Sequence, residues 1–392
     1  MDEHVSHGGG LEAPFAVVDL DALNANADDL VQRARGLPIR VASKSVRCTA
    51  ILRHVLARPG FNGILAYSLP EAIHLVHSGV SDDVVVAYPT TQREAVRTLA
   101  GERQLAERIT LMVDHPDQLE FLERAAPQRS HALKLCVDLD CSLRAGKLHL
   151  GARRSPIHTP HQAVALTDHV VQRINAGQRY RVVGLMGYEA QIAGVTDSSP
   201  AVRVMKRFSV AELARRRAQA VHAVREVLAR MGQPPLEFVN GGGTGSLDTT
   251  AREGAVTEVA AGSGLFGPHL FDHYRSFRPR AAALFAVDVV RHPAPGLVTV
   301  YGGGWVASGA SGSDRLPVPV WPPGLKLLAA EGAGEVQTPL AVRGHQPGIG
   351  TRVWMRHTKA GELCEHVNDL HLIHSAKIMN TVPTYRGEGK AF

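Results

Sequence analysis

The segment LEFVNGGGTGS (Leu236–Ser246) joins a short apolar run to a glycine-rich turn. Glycines let backbone N–H groups approach a phosphate closely, and the Thr244 and Ser246 hydroxyls add donors. Such a turn can equally be nothing more than a turn. Position breaks the tie, because a second apolar run ends in AGSG (Ala261–Gly264) a short way downstream. Glycine loops after the last two strands of an eight-stranded parallel barrel are the usual phosphate site of that fold. Gly242, Gly243, Thr244, Gly245, Ser246, Gly262, Ser263 and Gly264 are therefore the expected phosphate shell. The lysine that a Walker loop carries directly after its last glycine is missing.

Upstream, short apolar runs alternate with helix-patterned stretches from residue 38 to about 265. The strands expected are Ile39–Ser43, Gly63–Tyr67, Asp83–Tyr88, Ile109–Val113, Ala132–Asp138, Arg181–Gly187, Leu236–Asn240 and Thr257–Ala261, with helices such as Glu71–Ser78 and Val210–Met231 between them. Eight strands with helical crossovers match an α/β fold of the (β/α)8 TIM-barrel kind better than an open doubly wound sheet. Before the barrel lie a strand-like run, Phe15–Asp19, and a helix with Leu23, Ala27, Leu30 and Val31 on one face. Beyond residue 275 the runs Phe285–Val290, Leu297–Tyr301 and Leu316–Val320 are broken by Gly and Pro, the texture of an all-β domain. The expected organisation is residues 1–25 with the first strand joining the β domain, a barrel over 26–275, and a C-terminal β domain over 276–392.

The 392 residues include 44% hydrophobic and 20% charged side chains, as in an ordinary globular protein. The net charge of +6 comes from 43 basic residues interspersed with 37 acidic ones, without the continuous basic stripe that nucleic acid requires. Four widely spaced cysteines suggest reduced thiols and a cytoplasmic location. No apolar run has the length of a signal peptide or a membrane span, so neither secretion nor membrane insertion is expected.

Lys44 closes the first barrel strand, at the end where barrel active sites are built. An amine there could form an imine with a cofactor aldehyde, or be a solvated surface lysine. Arg144 and Tyr188 follow the fifth and sixth strands on the same rim. Arg144 either hydrogen-bonds a pyridine nitrogen or pairs with Asp140 in its loop, and Tyr188 suits stacking on a ring. The connection between Asp138 and Arg181 also carries His149, Arg153 and Arg154. Near the C-terminus, His357, Glu362, Cys364, His366 and His371 are of types that hold zinc, although their spacing fits no standard zinc motif.

In combination, the opening PFAVVDLDAL (Pro14–Leu23), Lys44 after a strand, and Asn240–Ser246 resemble the D-threonine aldolase and D-serine dehydratase-like family of alanine-racemase-type enzymes. The resemblance implies pyridoxal 5'-phosphate (PLP) held as an imine by Lys44, Arg144 at the pyridine nitrogen, Tyr188 lining the cofactor, and a homodimer. It also implies a lyase that cleaves or dehydrates a D-β-hydroxy amino acid as its small-molecule substrate, assisted by a divalent metal such as Zn or Mn. The metal set would come from His357, Glu362, Cys364 and His366. Ala42 and Val46 stand where that family usually has histidines, and neither alignment of the C-terminal cluster reproduces its metal pair. A racemase of the same fold would need a second base such as Tyr274, Tyr301 or Tyr385; a non-catalytic PLP-binding protein, or a phosphate-binding barrel without PLP, are the other readings.

Overall fold

Eight short strands build one closed, all-parallel barrel in the computed structural model, which describes residues 10–197 and 199–392. The strands are β2 (Ile39–Ala42), β3 (Phe61–Ala66), β4 (Val84–Val86), β5 (Ile109–Val113), β6 (Leu133–Asp138), β9 (Tyr180–Gly187), β10 (Phe238–Gly241) and β11 (Glu258–Ala261). They follow one another around the barrel in chain order, and β11 closes on β2 through the pairs Val259 with Ile39 and Ala261 with Val41. All eight coincide with the runs read from the sequence, within two residues at most ends. Parallel strands covered on both sides read as continuous apolar runs, and every residue of β4, β5 and β11 is buried. Val85, Met112, Cys136, Val183 and Phe238 meet in a single core cluster that ties β4, β5, β6, β9 and β10 together.

The helices between these strands carry their own start signals. Ser68 caps Leu69–His77 by accepting the Glu71 N–H at 3.2 Å, with Pro70 in the first turn. Thr159 and Gln162 form a reciprocal capping box at the head of Pro160–Asn175. The long helix Pro200–Arg230 begins ten residues before the expected Val210. Its first turns expose Val204 and Phe208, so they lack a clean apolar stripe, and the proline that reads as a breaker sits where helices tolerate it. Between β6 and β9 the chain also forms a hairpin of β7 (Leu143–Ala145) and β8 (Leu148–Leu150).

A buried ion-pair network sets the register at the N-terminal end of the barrel. Arg40 of β2 is 2% exposed; its Nε and Nη2 donate to Glu258 of β11 at 2.7 and 2.9 Å, and Nη2 also donates to Asp83 at 2.9 Å. Asn240 of β10 donates to the same Glu258 at 2.8 Å. Opposite Arg40, β3 carries an extra residue, since Ile39 pairs with Phe61 but Val41 with Ile64. Gly63 occupies this bulge at φ +70°, and a Cβ there would fall 2.5 Å from the Arg40 guanidinium, so glycine is required on both counts.

The chain divides into two compact units, one formed by Leu30–Lys44 and Leu52–Ala261, the other by the residues up to Asp29 with Ser45–Ile51 and Gly262–Ala391. The second unit is built on a nine-stranded sheet. Its strands are β1 (Phe15–Asp19), β12 (Ala283–Ala294), β13 (Leu297–Tyr301), β14 (Val318–Trp321), β15 (Leu325–Leu327), β16 (Gln337–Val342), β17 (Arg352–Arg356), β18 (Asp369–His374) and β19 (Lys377–Pro383). The N-terminal strand β1 lies inside it, antiparallel to β12 (Phe15 with Ala286) and parallel to β18 (Ala16 with Leu370). Phe15 packs edge-on to Trp354 at 5.7 Å within a core that includes Val17, Ala286 and Ile373. Among the described residues, no helix is long and apolar enough to cross a membrane.

Removing Arg40 would leave Glu258 buried without its counter-charge, which costs about 3–5 kcal/mol. Arg40→Ala is expected to lower the unfolding free energy by that amount in urea titrations, whereas Arg103→Ala, which breaks an exposed pair with Glu107, should leave the urea midpoint essentially unmoved.

Candidate active site

The strand ends at the C-terminal rim of the barrel deliver a connected set of polar side chains. Lys44 follows β2 in the short helical turn Ser43–Ser45, and Ser43 ties that turn to the end of β3 by donating its hydroxyl to the Leu65 carbonyl at 3.2 Å. The Lys44 Nζ donates to the Tyr88 Oη at 3.2 Å, Tyr88 lying two residues beyond β4. Arg154 approaches the same tyrosine, its guanidinium carbon 5.4 Å from the Tyr88 ring centre and 5.9 Å from that of Tyr188. Tyr188 in turn lies against the glycine loop, since a Cβ on Gly243 would come within 3.0 Å of its ring and 3.1 Å of Ala193. Lys44, Tyr88, Arg154, Tyr188 and Gly243 thus form one continuous line.

The two tyrosines differ electrically. Burial pushes the Tyr88 phenol up, but the Lys44 ammonium and the Arg154 guanidinium outweigh it and hold the group below the usual tyrosine value. Tyr188 is pushed up to about 12 by burial, with the neighbouring Glu189 carboxylate adding to the effect. Of the two, Tyr88 is the phenol whose ionised form its neighbours favour. Asp138, the last residue of β6, is pushed up to about 8 by burial and by the nearby Asp114 carboxylate, against the pull of Arg154.

A buried carboxylate holds the glycine loop in shape. Glu189 accepts the Gly242 N–H at 3.1 Å, the Ser246 hydroxyl at 3.2 Å and the Thr250 hydroxyl. It is paired with Arg217 at 3.1 Å, both side chains being 1% exposed, and Arg217 also reaches Glu253 at 2.8 Å. The Gly243 N–H turns inward to the Ser246 Oγ at 3.1 Å. Gly242 at φ +91° makes this fold of the loop possible. Gly262, Ser263 and Gly264 follow β11 directly and open the short helix Ser263–Phe266, within the other compact unit.

Two expectations take a different form. Arg144 lies on the β7–β8 hairpin with its side chain 40% exposed and donates to Asp140 at 2.5 Å, while Arg154 from the same connection reaches the tyrosines. Asp140 is fixed in place by the Ser142 N–H at 2.9 Å and hydroxyl at 2.7 Å, so it captures the arginine four residues away. The C-terminal set does not converge on a metal centre, and among the described residues no group of three or more His, Cys, Asp or Glu could hold an ion. Glu362 accepts the Ser308 N–H at 3.0 Å, the buried Cys364 thiol donates to the Val46 carbonyl at 3.2 Å, and His366 stacks on Trp305 at 4.9 Å. His357 is buried with its ring edge-on to Phe266, and His371 bonds Thr381 at 2.8 Å. Of the tyrosines weighed as a second base, Tyr274 is buried among Phe271 and Phe277, Tyr385 is buried, and Tyr301 is half exposed on β13.

Sequence reading missed Tyr88, Asp138 and Glu189 as site residues and named Arg154 only as part of the connection after Asp138. Three of these stand at or within two residues of a barrel strand's C-terminal end, the same positional signal that singled out Lys44.

The family model of the alanine racemase N-terminal domain matches residues 18–269. The chain belongs to that family. Membership implies PLP as the cofactor of this fold. D-threonine aldolase of Arthrobacter sp is 24% identical over 300 residues, 75% of this chain and 72% of that protein. The 3-hydroxy-D-aspartate aldolase of Paracoccus denitrificans is 24% identical over 258 residues, 65% of this chain, and the match spans only 60% of the aldolase's length. Among solved structures, D-threonine aldolase from Filomicrobium marinum matches with a TM-score of 0.78 at 22% identity, covering 96% of this chain and 95% of that one. D-threo-3-hydroxyaspartate dehydratase from Delftia sp. HT23 matches at 0.70 and 20% identity, covering 95% and 97%. At such identities these structures establish the fold, an alanine-racemase-like barrel with a sheet domain.

The raised Asp138 carboxyl has a stability signature. Between the unfolded value near ~4 and the native value of about 8, the folded chain holds a proton that the unfolded chain has lost, so stability falls as pH rises through that window. Asp138→Asn removes this term. Urea titrations should therefore show the variant gaining on the parent steadily from pH 5 to pH 8 and by a constant margin above it.

Proposed function

We propose that the chain is a PLP-dependent lyase acting on a D-β-hydroxy amino acid, with Lys44 holding the cofactor aldehyde. The observation that carries the reading is the line from the Lys44 amine through Tyr88, Arg154 and Tyr188 to Gly243. Its parts suit the cofactor's three demands: a primary amine, a ring-lining aromatic face, and a glycine cradle where a side chain would intrude. The names of the relatives, two aldolases and a dehydratase of D-hydroxy amino acids, support the same class. A divalent metal finds no such fit among the described C-terminal residues.

When bound, the cofactor supplies the electron sink that weakens a bond at the substrate Cα. The chain's own residues must then move protons. The Lys44 amine would serve as the base for that carbon, and the Tyr88 Oη at 3.2 Å is the group placed to pass a proton to or from it. Arg154 favours the ionised phenol and so readies Tyr88 to take a proton. If that proton comes from the substrate β-hydroxyl, Cα–Cβ cleavage releases an aldehyde, and a proton delivered to Cα through Lys44 completes glycine. If Lys44 takes the α-proton, and Tyr88 returns one to the departing hydroxyl, water is lost and deamination follows. Of the ring-nitrogen partners, Arg154 stands nearer the tyrosines, while Arg144 is engaged with Asp140.

Purified protein is expected to show a visible absorption band from its lysine-linked cofactor, absent in Lys44→Ala; a band that survives the substitution refutes the assignment. Incubation with D-threonine and D-3-hydroxyaspartate should release aldehyde and glycine, or ammonia and a keto acid, with the L-isomers inert. Tyr88→Phe should lower kcat on the order of 10²-fold, the lower end of what positioned acid–base groups contribute, while leaving the absorption band in place.

A further inference from the structure

The turn Gly243–Ser246 is closed by the Ser246 N–H, which donates to the Gly243 carbonyl at 2.9 Å. Other donors of the loop are also engaged inside the protein, the Gly242 N–H by Glu189 and the Gly243 N–H by the Ser246 Oγ. The Gly245 N–H has no acceptor among the described residues. Gly243 and Gly245 are half-buried, whereas Gly242, Thr244 and Ser246 between and beside them are buried. The central peptide of a four-residue turn, here the one joining Thr244 to Gly245, has two orientations that differ by roughly half a rotation. Glycine in the third position accepts either one, so the choice must come from outside the turn.

Arg33 makes that choice. It closes the helix Leu20–Arg33 and is 7% exposed. Its Nη2 donates to the Thr244 carbonyl at 2.7 Å and its Nε to Asp248, just past the turn, at 2.9 Å. The carbonyl and the N–H of a trans peptide point in opposite directions, so a carbonyl fixed on the guanidinium turns the Gly245 N–H away from it. A cation at the carbonyl end also polarises the peptide and strengthens that N–H as a donor. Resting on the cofactor reading above, we infer that Arg33 is a positioning residue for the phosphate arm, acting through the Thr244–Gly245 peptide, whose N–H is the donor offered to the phosphate. With the peptide in its other orientation, a carbonyl oxygen would take the place of that donor and repel the anion.

The full chain, freed of cofactor, is titrated with pyridoxal 5'-phosphate and with pyridoxal in the parent, in Arg33→Met and in Arg33→Lys, the visible band reporting both ligands. A hydrogen bond to a charged group is worth about tenfold or more in affinity. Pyridoxal 5'-phosphate is therefore expected to bind Arg33→Met weaker by about that factor, with pyridoxal binding unchanged and Arg33→Lys recovering part of the loss. Equal weakening of both ligands, the mark of a merely structural role, overturns the assignment, as does no weakening of either. If Arg33→Met does not fold, Arg33→Gln, which keeps a donor for the Thr244 carbonyl without the charge, is judged by the same criterion. A parent that forms no band with either ligand removes the cofactor reading, and thermal shift with inorganic phosphate then decides the loop by itself. A Tm raised in the parent but not in the Arg33 variant supports the oriented N–H; an equal shift, or none, rules it out.

Discussion

The rim of the barrel depends on a single buried charge. Glu189 emerges from the end of β9 into a space closed to water and would be intolerable there without partners. Its partners are the parts that must be held still: the Gly242 N–H, the hydroxyls of Ser246 and Thr250, and Arg217 from the long helix. A glycine-rich turn has more conformational freedom than any other sequence of its length. The carboxylate removes that freedom by gathering donors from three places in the chain. The Tyr188 ring, one residue before it, is thereby set against Gly243.

A second network does the same at the opposite end of the barrel strands. Arg40 holds β2 to β11 through Glu258, and Asn240 brings β10 into the same cluster. Because Lys44 follows Arg40 by only four residues, in the turn that ends β2, the register fixed by Arg40 determines where the amine emerges. The two charge networks differ in their chemistry. The lower one locks strands whose apolar faces already pack well, whereas the upper one gives shape to a loop that has no side chains of its own to pack.

The strand pattern was legible because each barrel strand is a short apolar run bounded by turn residues, and burial on both faces demands no more than that. Lys44, Tyr188 and the glycine loop were legible from their place at strand ends. Arg144 illustrates what spacing leaves open: it reads equally as a ring partner or as a companion of Asp140, and in the structure it pairs with Asp140, which Ser142 pins, while Arg154 from the same connection approaches the tyrosines. Glu189 is an ordinary acidic residue in the sequence, and its importance arises from partners at 217, 242, 246 and 250. The C-terminal histidines and cysteine looked like a cluster because they are near in sequence. Their side chains follow different elements, one stacked on Trp305, one inside the core, one bonded to a backbone carbonyl.

The location of β1 has a consequence for synthesis. Its neighbours in the sheet are residues 283–286 and 370–373, so β1 must wait for about 265 further residues before the first of them is made and about 350 before the second. At ribosomal speeds of about 5–20 residues per second, the first of these waits is roughly 13–53 s. During that time the apolar segment Phe-Ala-Val-Val at 15–18 is a naked strand, competent to pair with the same segment on another nascent chain. The design gives the finished sheet a well-covered centre and makes the growing polypeptide a natural client for chaperones.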